Sequence, residues 1–131
     1  VKTIGIVGSR RRNTEEDFWQ VRGEFQRIFQ KGDNIISGGC LKGGDKFAER
    51  LAKIYNIPII IHYPNKENLD PILIKKNSRA AYAVINYARN TLIAQDSDVL
   101  IACVTPDRKG GTEDTIKKFV KIHGKENLYL I

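Results

Sequence analysis

An α/β fold with a mainly parallel sheet of about five strands is what this sequence predicts, from three observations. Short runs rich in β-branched residues alternate with stretches of helical periodicity along the whole 131 residues. Glycine-rich turns stand in or directly after three of those runs, at Gly5–Arg10, Ser37–Asp45 and Gly110–Thr112. An apolar content of 41% beside 28% charged residues fits a globular chain that buries a core. Strict alternation of strand and helix requires right-handed crossovers, so the helices cover both faces of the sheet.

The elements follow in order. Thr3–Gly8 is a short apolar run and reads as the first strand. Thr14 is the N-cap candidate of the next element, with Asp17 in a variant capping-box position. Phe18, Val21, Phe25, Ile28 and Phe29 recur at helical spacing, so Glu15–Gln30 is expected to be an amphipathic helix with Trp19 at the edge of its apolar face. Asn34–Ser37 is the second strand. Asp45–Tyr55 is the second helix, turning Phe47, Ala48, Leu51, Ala52 and Tyr55 inward. Ile57–Tyr63 is the third strand, and its isoleucines suggest a sheet covered on both faces. After the polar stretch Pro64–Asp70, Pro71 suits a first helical position, and Pro71–Gln95 is helical with a break near Asn77–Ser78. Ala80, Val84, Tyr87, Thr91 and Ala94 form its expected apolar stripe. Asp98–Val104 is the fourth strand, Thr105–Gly110 a loop, Thr112–His123 the last helix and Leu128–Ile131 the fifth strand.

No repeat, low-complexity tract or interdomain linker interrupts this order. Residues 1–131 are therefore expected to form a single Rossmann-like three-layer domain. No apolar run approaches the ~20 residues of a membrane span and no signal-peptide pattern opens the chain, which points to a cytoplasmic protein without a membrane partner. Cys40 and Cys103 lie in no paired metal-binding spacing, so neither a metal nor a cofactor is expected. Cys103 falls in an apolar strand as a packing thiol; Cys40, in a glycine loop, is open to reaction or simply structural. The net charge of +7 points to an anionic partner.

The glycine loops carry the chemistry. In α/β sheets ligands bind beyond the carboxyl ends of the strands, where this reading puts all three loops. Gly8, Ser9 and Arg10 offer a close backbone approach, a hydroxyl and a guanidinium, a set that suits a phosphate or carboxylate. Gly38, Gly39, Gly43 and Gly44 leave the second loop bare of side chains, and Asp45 follows as either a helix cap or an acceptor for a ribose hydroxyl. Gly110, Gly111 and Thr112 bring amides and a hydroxyl to a helix start suited to phosphate. Glu113 and Asp114 in its first turn either stabilise the helix dipole or take part in chemistry. Arg89 and Asn90, on the long helix, are placed to reach over a ligand. His62 lies near a strand end, where it is either structural or part of the site. The chain has neither a GxGxxG fingerprint nor a GxxxxGK[ST] loop, which argues against NAD binding and ATP hydrolysis of the usual kinds.

Four segments carry a family resemblance: GSR at Gly8–Arg10, SGGCLKGGDKFAERLA at Ser37–Ala52, RNTLIAQDSDVLIA at Arg89–Ala102 and GGTEDTIK at Gly110–Lys117. In this order they resemble the SLOG superfamily, which groups DprA-like, LOG-like and YspA-related proteins, and most of all its small YspA-like branch. The resemblance implies a nucleotide or nucleotide-derived phosphorylated ligand across these loops, in a sensor or carrier role. It also implies self-association as a homodimer or higher homo-oligomer. LOG-like relatives are phosphoribohydrolases that cleave the N-glycosidic bond of nucleoside 5′-monophosphates. By that likeness the catalytic candidates are Arg89 with Glu113 and Asp114, since the position of the LOG-like glutamate is Thr115 here. Likeness to DprA implies a third alternative, single-stranded nucleic-acid binding, with Arg11 and Arg12 among the contacts.

Overall fold

The computed structural model describes residues 1–131. Five parallel strands form one sheet in the order β3-β2-β1-β4-β5: β1 (Thr3–Gly8), β2 (Asn34–Ser37), β3 (Ile59–Ile61), β4 (Val99–Cys103) and β5 (Leu128–Leu130). In register, Gly5 of β1 faces Ile36 on one side and Leu100 on the other. The α/β three-layer architecture expected from the sequence is what the chain adopts.

Helices α1 (Glu15–Ile28) and α2 (Gly44–Tyr55) cover one face. Their Phe18, Val21, Phe25, Phe47, Ala48 and Leu51 join alternate strand residues Ile4, Ile6, Ile35 and Ile101 in the larger core. Helices α4 (Ser78–Asp96) and α5 (Thr112–His123) cover the other face, where Val7, Leu100 and Ala102 meet Ile93, Ile116 and Phe119. Strand residues point alternately to the two layers because the side-chain period is 2, so a sheet covered on both sides needs continuous apolar strands. β4 is buried at all 5 positions and meets that demand.

Local chemistry sets the helix ends. The Thr14 side chain accepts from the Asp17 amide and Asp17 accepts from the Thr14 amide, a complete capping box. Asp70 caps the short helix α3 (Pro71–Lys76), and Asn77, at φ −159° and ψ 89°, breaks it from α4 while its side chain accepts from the Ala80 amide.

Three expectations need correction. α1 stops at Ile28 because Phe29 leaves helical geometry, so the helix does not reach Gln30. β3 keeps only three residues and lies at the sheet edge, where Ile60 is half exposed. Ile57 is buried without being a strand residue; Asn56, at φ 53°, turns the chain out of α2 just before it. The apolar stripe of α4 is also different: Ala81, Ile85, Ile93 and Ala94 are buried, whereas Val84 and Tyr87 are largely exposed. α4 packs against α3, α5 and the sheet, and its buried residues Ala81 and Ile85 lie on a different face of the helix from Asn90, Ile93 and Ala94.

Candidate functional site

The site lies at the carboxyl ends of β1, β2 and β4, next to the point where the strand order reverses between β1 and β4. Three loops are locked together there. The Ser9 amide donates to the Cys103 carbonyl (2.9 Å), carrying the β1–β4 pairing one step past the strand ends. The Gly43 amide donates to Asn13 Oδ1 (2.8 Å), tying the first loop to the second. Arg11 reaches from the first loop to the third: it pairs with Asp107 (2.7 and 2.9 Å) and donates to Thr105 Oγ1 and the Lys109 carbonyl. The hydrogen bond from Arg11 chiefly, helped by one from Thr105, holds the Asp107 carboxyl well below the usual range.

The glycines of the second loop do two jobs. A Cβ on Gly44 would collide with the Val7 and Gly8 backbone, and one on Gly43 with the Ser9 carbonyl. Both are buried and serve the close approach of α2 to the end of β1 rather than access for a ligand. Gly39, at φ +75°, seats the Tyr63 ring where a Cβ would stand. Gly38 lies between the Arg89 guanidinium and the Asp45 carboxyl, 2.7 and 2.8 Å from its would-be Cβ.

Asp45 is 7% exposed. Burial is the largest influence on its carboxyl and raises its pKa; the Cys40 amide, the Ser37 hydroxyl, the Arg89 charge and the Gly38 amide pull downward without cancelling it. Ser37 Oγ, with one proton to give, lies within hydrogen-bond distance of both the Ile6 carbonyl and Asp45 Oδ1 (2.9 Å), and Asp45 Oδ2 accepts from the Cys40 amide at 3.0 Å. Arg89 donates to the carbonyl of Gly38 and to Asn90 Oδ1, and Asn90 donates to the Gly111 carbonyl (3.3 Å) and to Asp114 (3.2 Å). A continuous chain of contacts therefore runs from the second loop across α4 to the start of α5.

These elements enclose a cleft of about 640 Å³. Gly8, Ser9, Arg10, Asp45, Arg89, Asn90, Gly110, Gly111 and Thr112 line it together. A second lobe of about 650 Å³ lies over Gly38, Gly39 and Tyr63. Five cationic side chains, Arg10, Arg11, Arg79, Arg89 and Lys109, line the first cleft against the single carboxyl of Asp45. Of the five only Arg11 makes an ion pair, so the field in the cleft is positive. No group of three or more His, Cys, Asp or Glu side chains is gathered at metal-binding distance.

Several candidates fall elsewhere. Glu113 pairs with Arg108 (2.8 Å) and Asp114 with Lys118 (2.9 Å), and neither lines the cleft. Thr115, buried in the turn behind them, does. Arg12 is spent internally: it pairs with Asp17 (2.9 Å) and donates to the Val104 and Ile131 carbonyls (2.8 and 2.6 Å). His62 pairs with Asp96 (2.8 Å) outside both lobes. Cys103 is fully buried, and burial pushes its thiol up to about 11, the behaviour of a packing cysteine.

Sequence reasoning missed one whole wall of the cleft, made by Arg79, Tyr82, Ala83, Asn86 and Tyr87 of α4. A signal existed. With Asn90 and Ile93, these residues recur at i, i+3, i+4, i+7, i+8, i+11 and i+14, one continuous helical stripe that is polar and aromatic rather than apolar. Comparison with protein-family models, with curated proteins and with solved structures finds no match to this chain.

Proposed function

We propose that the protein binds a nucleotide or nucleotide-derived phosphorylated small molecule in this cleft, as a sensor or carrier. The observation that carries the reading is a cleft at the reversal point of the sheet in which four cations free of ion pairs face a single buried carboxyl. Phosphate is the ligand chemistry that such a field and the uncapped start of α5 at Gly111 favour together. The resemblance of the loops to the SLOG superfamily adds the nucleotide class. Titration calorimetry against a panel of nucleoside mono-, di- and triphosphates tests it. Binding that weakens about tenfold or more in Arg10→Ala, the loss of one charge-assisted contact, is the expected result. The absence of heat from every nucleotide up to millimolar concentration would refute the reading.

A hydrolytic second reading has one observation in its favour. Asp45 is the sole carboxyl on the cleft wall, and burial raises its pKa, the direction a general acid needs for N-glycosidic cleavage. In that reading Asp45 takes the role first sought in Glu113 and Asp114. Incubation with nucleoside monophosphates, followed by chromatography for free base, decides it. Release that disappears in Asp45→Asn supports hydrolysis, and no release from any substrate leaves binding alone.

A further inference from the structure

We infer that the ligand is a dinucleotide-type molecule, two planar ring systems joined through phosphates, rather than a mononucleotide. This rests on the proposal that the cleft takes a nucleotide, and goes beyond it to the ligand's size and shape. The first observation is that the cleft is double. Two lobes of nearly equal volume, about 640 and 650 Å³, each lie within the usual range of a small-molecule site, ~300–1,000 Å³. A mononucleotide would fill one and leave the other open. Secondly, the lobes adjoin: Arg10, Arg11, Cys40, Asn86 and Arg89 border both. Three of these five carry guanidinium groups, and two of them, Arg10 and Arg89, make no ion pair, so unpaired positive charge stands where the lobes meet. Bridging phosphates would lie there.

The third observation is that each lobe has a tyrosine on its wall. Tyr82 and Tyr87 stand on α4 in the first lobe, 44% and 48% exposed. Tyr63 stands in the second, its ring seated on Gly39 and its surface 65% exposed. An exposed tyrosine costs apolar hydration unless something covers it, and a base offers a matching π-face. Guanidinium groups shared by the two lobes, with a tyrosine on the wall of each, match a molecule with phosphates in its middle and planar groups at its ends. The first lobe also holds Ser9, Asp45 and the Gly110–Thr112 turn, so the more polar contacts fall on the half-ligand bound there.

Calorimetry with diadenosine triphosphate, diguanosine triphosphate and NAD, each against AMP, GMP and ADP, tests the inference. At least one dinucleotide is expected to bind about tenfold or more tightly than its mononucleotide half, a difference within the reach of one added base stack. Tyr63→Ala should return that dinucleotide to mononucleotide affinity, and Tyr82→Ala should weaken dinucleotide and mononucleotide alike. Both tyrosines are exposed, so the variants should melt like the parent, and a melting curve confirms this. Equal affinity for dinucleotides and mononucleotides, or a Tyr63→Ala variant with unchanged dinucleotide affinity, overturns the inference while nucleotide binding stands. Single-stranded oligonucleotides that bind more tightly with each added residue overturn it in favour of nucleic acid. No binding by any nucleotide removes the inference and its premise together.

Discussion

Asp45 concentrates the chemistry of the site in one group. Its folded pKa lies above the ordinary aspartate value near 4, because burial disfavours the anion more than its hydrogen bonds and Arg89 favour it. The sign of the linkage follows. As pH rises past the unfolded pKa, the unfolded chain releases this proton first and the folded chain keeps it, so this residue makes stability fall until pH passes the folded value. Below the unfolded pKa it has no effect. Asparagine is nearly isosteric with the carboxyl, and its amide can donate to Ser37 Oγ while its carbonyl accepts from the Cys40 amide. Asp45→Asn is therefore expected to match or exceed the parent in urea midpoint at pH 7 and to flatten the fall in stability above pH 4. Asp45→Ala should lose about 1–3 kcal/mol, because it orphans a buried hydrogen bond. An asparagine variant as damaged as the alanine variant at pH 7 would show that the carboxyl is ionised.

Arg12 belongs to the same scale and makes the opposite case. It looks like one of three consecutive surface arginines, yet it stitches the start of α1 to the residues just past β4 and β5. Arg12→Ala removes a charged donor from the Val104 and Ile131 carbonyls and from Asp17, and is expected to cost about 2–3 kcal/mol in chemical denaturation. Nucleotide affinity should stay within about twofold of the parent's, since Arg12 does not line the cleft. A variant of parental stability with impaired binding would reverse that assignment.

Elements differ in how far their sequence reveals them. Strands β1 and β4 and helices α1, α2 and α5 are legible because one apolar pattern serves each from end to end. α4 is not. Its buried residues lie on two faces in succession, and a stripe averaged over the whole helix points at neither. Its third surface, the row from Arg79 to Asn90, faces the cleft and so lacks the apolar character by which cores are recognised. The glycines of the second loop show the converse. Gly38, Gly39, Gly43 and Gly44 read as one bare loop in the sequence, but only the first two border a cavity, while the others let α2 touch β1. Gly44→Ala is expected to destabilise the fold by more than about 2 kcal/mol, because the added methyl meets backbone that cannot move aside without breaking the β1–α2 junction. A melt within about 0.5 kcal/mol of the parent would show that the junction yields, in the range of ordinary surface changes.

At the scale of the whole molecule, the proposed ligand would couple to folding. A ligand that bridges the first and third loops and α4 binds the folded chain alone. At a hundred times its dissociation constant it should add about 2.7 kcal/mol of stability and raise the melting temperature by about 10 °C for a chain of this size. Because four cleft cations lack a protein counter-ion, raising ionic strength should weaken binding progressively. Salt-insensitive affinity would mean that the phosphates are held by backbone amides instead. No helix of the chain is long and apolar enough to cross a membrane.

By itself the sequence determined the order of elements, the parallel sheet and the three turns that meet at its rim, because each is written in local periodicity and in glycine placement. Tertiary structure alone decided which of those turns face open space, that Glu113 and Asp114 are engaged by Arg108 and Lys118, that Arg12 is internal, and that a face of α4 walls the cleft with tyrosines. The reason is physical: periodicity records whether a side chain meets apolar surroundings, but which cation pairs with which acid, and which surface borders a cavity, depends on residues far away in the chain.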